Sequence, residues 1–141
     1  MSLVNFARIY GIAFLLIGLS GFVPGLTPPH QHPNLAVEAG SGMALGLFPV
    51  NILHNLFHLA FGVWGLLAAR SVGAAKTYGK TVAVIYGLLT VMGLIPVTNT
   101  TFGLVPIYGH DVWLHALLAG VAGYFGFVHR DRSGVDAQRR T

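Results

Sequence analysis

The chain has 141 residues, 54% of them hydrophobic and only 9% charged. A soluble domain carries about 25% charged residues because its surface must be hydrated, so this composition excludes a water-exposed globule and points to hydrocarbon solvent. The formal charge is +4 and cysteine is absent, which rules out disulfides, thiol catalysis and thiolate metal ligation; the basic residues gather beside apolar runs rather than along a stripe, which argues against nucleic acid as a partner.

A transmembrane helix needs about 20 mainly apolar residues, and the first such run covers residues 4–23, with Arg8 near its start and Pro24 after it. It resembles the apolar core of a secretory signal, but Pro24-Gly25-Leu26-Thr27 offers no small-x-small cleavage pattern, so a retained span is expected. The following loop contains Pro28, Pro29 and Pro33, with His30, His32 and Glu38, which are expected to be solvated. Residues 43–48 are apolar enough to lie at the membrane interface.

The second run, residues 50–69, starts after Pro49, closes at Arg70 and carries His54 and His58. The third, residues 77–95, ends at Pro96. The fourth, residues 112–128, begins beside Asp111, carries His115 and closes at His129-Arg130-Asp131-Arg132. The expected fold is all-α: an integral membrane four-helix bundle over residues 1–132, with residues 133–141 a flexible polar tail.

Lysine and arginine accumulate on the cytoplasmic side of membrane proteins. Arg8, Arg70, Lys76, Lys80, Arg130, Arg132, Arg139 and Arg140 all fall on one side of this arrangement, and the stretches 24–49 and 96–110 contain no Lys or Arg. Both termini are therefore expected in the cytoplasm.

The chain also repeats itself. An offset of 57 residues aligns Gly46 with Gly103, Pro49 with Pro106, His54 with Asp111 and His58 with His115, without a gap. Ile9-Tyr10-Gly11, Gly18 and Pro24 answer Ile85-Tyr86-Gly87, Gly93 and Pro96 with small gaps. A tandem duplication of an in-out-in hairpin is a parallel repeat, with its pseudo-two-fold axis along the membrane normal. Gly11, Gly18, Gly62, Gly65, Gly120, Gly123 and Gly126 suit close helix packing, since small residues let backbones approach in lipid; they also suit a flat cofactor.

Residues four apart share a helix face, so His54 faces with His58 and Asp111 with His115, in the outer half of two equivalent spans. Structural roles are open to each: Asp111 as a helix-starting carboxylate that accepts orphan N–H groups, and His58 and His115 as neutral rings bonded to Asn55, Thr90 or a backbone carbonyl. Two sharper readings compete with these. His54, His58, Asp111 and His115 together form a candidate transition-metal set, with His58 and His115 alternatively the axial ligands of a b-type haem. Histidine beside a carboxylate also suits proton or small-ligand handling, with His30, His32 and His110 extending the path.

Arg8-x-Tyr10-Gly11, the Gly21-Phe22-Val23-Pro24 exit, Gly46-Leu47-Phe48-Pro49-Val50-Asn51 with His54-Asn55 and His58, and Asp111-Val112-Trp113-Leu114-His115 resemble the membrane proteins filed as domain of unknown function 4383. The likeness spans residues 4–127, with the stretch from Pro28 to Pro33 departing from the pattern. It implies a four-span protein of the bacterial inner (plasma) membrane and no particular activity. The leading expectation is a non-enzymatic accessory or stabilising subunit acting through helix contacts, as a homo-oligomer or within a larger membrane complex. The alternative is a metal- or haem-binding redox, ligand- or proton-handling protein.

Overall fold

The computed structural model describes residues 1–130; the expected polar tail, residues 133–141, lies outside the described residues. Four α-helices follow one another: α1 Leu3–Ser20, α2 Ile52–Ala68, α3 Val72–Leu94 and α4 His110–Gly123, the last continuing as a π-helical turn over Tyr124–Val128. Between α1 and α2 lies a small antiparallel hairpin, β1 Gly42–Ala44 and β2 Phe48–Val50, with Ala44 opposite Phe48 and Gly42 opposite Val50.

The helix starts follow local capping chemistry. Ser2, Asn51 and Ser71 each accept a hydrogen bond from the backbone N–H three residues on, at 3.2, 3.0 and 3.1 Å, which satisfies one of the orphan donors of a first turn. The Ser71 cap starts α3 at Val72, five residues before the hydropathy boundary at 77. Lys76 and Lys80 dilute the apolar signal there without breaking the helix. The end of α1 is fixed by Thr27, whose hydroxyl donates to the Ser20 carbonyl at 3.0 Å.

α1 packs along α2, and α3 along α4, whereas α2 and α3 make few close approaches. The first pair is held by glycine. A Cβ on Gly11 would meet the Leu66 nitrogen at 2.7 Å and the Gly62 carbonyl oxygen at 2.9 Å, and one on Gly65 would meet the Gly11 Cα at 2.8 Å. Gly126 plays this part against Lys80 in the second pair, but Gly120 has open space around it and takes no part in packing. The core between the pairs is aromatic: Phe6 stacks on Phe125 at 4.6 Å, and Phe14 lies 5.3 Å from Tyr86. Tyr10 donates to the Leu118 carbonyl and Tyr78 to the Phe61 carbonyl, at 3.1 and 3.2 Å, joining one pair to the other.

The outer surface is apolar in a way water would not tolerate. Ile9, Leu16, Leu19, Phe57, Val84, Leu88, Val91 and Leu117 are all exposed, while His54, Asn55, His58, Asp111 and His115 are buried. α1, α3 and the continuous stretch His110–Val128 are long and apolar enough to cross a membrane; α2, at 17 residues, is apolar but shorter.

The two long connections meet over one end of the helices. Asn51, besides capping α2, donates from its amide to the Val37 and Leu104 carbonyls at 2.9 and 2.7 Å. The Ala36 N–H donates to the Gly103 carbonyl at 2.8 Å. His32 is buried, not solvated as its loop position suggests: its Nδ1 takes a hydrogen bond from the Tyr108 hydroxyl at 2.7 Å, and its Nε2–H reaches the Gly42 and Val50 carbonyls at 3.0 and 3.2 Å. The apolar segment 43–48 lies within the hairpin and includes its turn, with Leu45 and Gly46 at φ +53° and +71°. The second connection turns in the same way at Phe102 and Gly103, φ +59° and +88°. Both pairs sit in the left-handed region, where a non-glycine residue is uncommon.

Candidate metal centre

The site begins with the placement of two helix starts. Asn51 fixes where α2 opens, so His54 and His58 fall one turn apart on its inward face; α4 opens at His110, which puts Asp111 and His115 one turn apart on its own inward face. The four side chains converge at the loop-covered end, each between 1% and 3% exposed. The His54 and His58 ring centres are 4.6 Å apart, and those of His54 and His115 are 5.9 Å apart. Asp111 Oδ2 stands 3.5 Å from His115 Nε2 and 3.9 Å from His54 Nε2. One nitrogen from each of His54, His58 and His115 lies within 4.8 Å of the others.

The expected structural roles do not account for these atoms. The residue capping α4 is Gly109, which offers no side-chain cap, so Asp111 occupies the first turn but is not its capping acceptor. Thr90 donates to the Tyr86 carbonyl instead of a histidine. Asn55 is pressed against Gly21, where a Cβ would overlap its amide, and neither of its amide atoms finds a partner. His58 Nδ1, His115 Nδ1, His54 Nε2 and Asp111 Oδ2 are likewise buried without a hydrogen bond. Buried polar atoms are nearly always paired, and an isolated carboxylate in apolar surroundings needs a positive partner or a proton. Asp111 Oδ2 faces the His115 and His54 rings, which would pair with it ionically only when protonated.

His54 is oriented as a ligand would be. Its Nδ1 lies 3.1 Å from the Pro49 carbonyl, so that nitrogen carries the proton and donates, and Nε2 presents its lone pair toward Asp111. A backbone carbonyl holding the far N–H of a ligating imidazole is the usual support for a metal site. Phe14 stacks on His58 at 5.6 Å and Tyr86 meets His115 edge-on at 4.9 Å, so these two rings are held by packing.

The four residues singled out in the sequence, His54, His58, Asp111 and His115, are thus brought together. His30 and His110 are exposed, and His32 is tied into the loops. Burial holds His32 below the ordinary histidine pKa, opposed in part by its two carbonyl partners; desolvation raises the Tyr108 phenol. Sequence reasoning missed Asn51, although an Asn immediately before an apolar run is an N-cap signal. It also missed Phe14 and Tyr86, whose role beside the rings leaves no local trace.

A family model described as a domain of unknown function, DUF4383, matches residues 5–128. No curated protein and no solved structure matches the chain.

Proposed function

The chain belongs to the DUF4383 family, whose description assigns no activity, and we propose from the geometry that it is a four-span membrane protein holding a transition-metal ion between two repeated halves. The single observation that carries the ion is the convergence of three buried imidazoles, one nitrogen from each lying within 4.8 Å of the others, beside an Asp111 carboxylate oxygen that has no hydrogen-bond partner. Metal–nitrogen distances of about 2.0–2.1 Å require the donors to draw in by roughly an ångström. Side-chain rotation of that size is ordinary. Three imidazoles and a carboxylate suit a borderline divalent ion such as zinc or iron rather than a soft one. A b-type haem on His58 and His115 fits less well, because Phe14 and Tyr86 fill the space against those two rings.

Three features beyond sequence support a tandem repeat. The left-handed pairs Leu45-Gly46 and Phe102-Gly103 stand 57 residues apart. Gly18 abuts Asn55, and its counterpart Gly93 abuts Val112, again at that offset. The cluster is flanked by two cavities, one lined by Ala44, Phe48, Val50 and Leu114, the other by Thr101, Val105, Ile107 and Phe57. Each residue of the first set corresponds to one of the second at the same offset. A parallel repeat relates α2 to α4, with both termini cytoplasmic and the cluster near the outer face of the inner membrane. The accessory-subunit reading has less to draw on, since Gly11, Gly62 and Gly65 are occupied against one another inside the chain.

Metal analysis and a visible spectrum of the protein purified in mild detergent test the reading. The expected result is a stoichiometric first-row metal, lost in both His58→Ala and His115→Ala while the protein stays monodisperse. A Soret band would move the assignment to haem. A metal-free, colourless wild-type protein that takes up neither zinc nor iron on reconstitution would overturn both.

A further inference from the structure

Two turns in the long connections carry apolar side chains where a loop in water would carry polar ones. Leu45 and Leu47 flank Gly46, and Phe102 and Leu104 flank Gly103. All four are exposed, Leu45 by 61% and Phe102 by 75%. Leu45 and Phe102 also hold left-handed backbone, which a side chain disfavours, so each turn accepts strain to present an apolar group outward. The turns fold back onto the helices. Leu45 lines the smaller cavity with Ile17 of α1 and Leu114 of α4, and Leu104 lines the larger with Phe57 of α2 and Leu89 of α3. At 1.5 Å per residue, those four helix residues stand about 5–8 Å in from their helix ends.

We infer that the two turns are embedded among the acyl chains of the outer leaflet, one beside α1 and α4 and the other beside α2 and α3, and so fasten the loops that cover the histidine cluster to the bilayer. The inference rests on the four-span reading. Backbone in hydrocarbon must find its hydrogen-bond partners inside the protein, and these turns do. The Leu45, Gly46 and Leu47 N–H groups donate to the Leu26, Met43 and Ala44 carbonyls at 2.7, 2.9 and 3.1 Å. Those of Gly103, Leu104 and Val105 reach the Thr100, Thr101 and Thr100 carbonyls at 3.0, 3.3 and 3.0 Å. The Thr101 hydroxyl is satisfied too, donating to the Val105 carbonyl at 2.7 Å and accepting from the Val105 N–H at 2.8 Å. Charge agrees, since residues 24–49 and 96–110 hold no Lys or Arg and Glu38 alone is acidic. Phe57 and Trp113, in the outer turns of α2 and α4, are exposed as well, so the turns extend an apolar belt and are not an isolated patch of the kind a protein partner covers.

The test places a nitroxide label on single cysteines in the full chain, reconstituted in phospholipid nanodiscs, and reads its collisions with oxygen and with a water-soluble nickel chelate. Leu45→Cys and Phe102→Cys report the turns; Leu47→Cys and Leu104→Cys stand in should either of those misfold. Leu88→Cys, exposed midway along α3, is the lipid reference, and Gln31→Cys, exposed in the first connection, is the water reference. At the turns the ratio of oxygen to nickel collisions should match that at Leu88 and exceed that at Gln31 roughly tenfold, because hydrocarbon excludes a polar chelate. A ratio at both turns equal to that at Gln31 would overturn the inference. So would few collisions with either reagent, the mark of turns covered by a second copy or another protein. Nickel collisions at Leu88 as frequent as at Gln31 would instead sink the four-span reading itself.

Discussion

Because burial keeps the His32 ring neutral, its protonation is linked to unfolding. In the unfolded chain it takes up a proton near its ordinary value of 6.5, and in the folded protein only at lower pH. The unfolded state therefore binds more protons in that interval, and stability, fully present above about pH 6.5, falls as the pH drops through it. Melting temperatures measured from pH 8 to 5 should decline for the wild type and decline less for His32→Gln, which keeps a donor for the Gly42 carbonyl but does not titrate. An equal slope in the two proteins would remove His32 from the account. Gly21 gives a second residue-scale test. Gly21→Ala drives a methyl into the Asn55 amide, and overpacking of this kind costs about 1–3 kcal/mol. The double variant Gly21→Ala/Asn55→Ala should recover much of that loss in a thermal-shift assay, since the two positions share one space.

At the scale of the element, the glycines divide by what stands opposite them. Gly11→Ala sets a Cβ against the backbone of α2 and must part the helices, so a clear drop in melting temperature and in folded yield is expected. Gly120→Ala meets nothing and should be neutral or gain about 0.5–1 kcal/mol from the better helix former. Parity between the two variants would show that α1 and α2 do not pack through Gly11. Asn51 joins an element to its surroundings: Asn51→Ala removes the α2 cap and two amide donors to the loops. A loss on the order of 2 kcal/mol follows from the cap and the orphaned carbonyls together. His54 is displaced with the cap, so metal uptake should weaken in parallel.

For the whole molecule, the proposed topology makes a sharp demand. The absence of native cysteine lets a single introduced thiol report its side of the membrane. Gly25 and Gly73 both have open space around them, and the positive-inside rule places them on opposite faces. Gly25→Cys should react with an impermeant maleimide in intact spheroplasts, whereas Gly73→Cys should react only after permeabilisation. Labelling of both in intact cells would contradict the arrangement with four spans and cytoplasmic termini.

Membrane character, the four helical segments and the His54, His58, Asp111 and His115 set were legible in the chain because hydropathy and helical spacing are local properties: each depends on residues within a turn or two, or within one run. The start of α3 was blurred because lysines lower hydropathy without ending a helix, whereas the Ser71 cap marks it. Which polar atoms go unsatisfied could not be read in this way, since Asn55 meets Gly21 and His58 meets Phe14 only through contacts between distant segments. His32 looked like a solvated loop residue until Tyr108, 76 positions away, supplied its partner. The sequence alone could thus say which groups share a helix face; only the packing of α2 against the rest decided that the imidazoles meet one another.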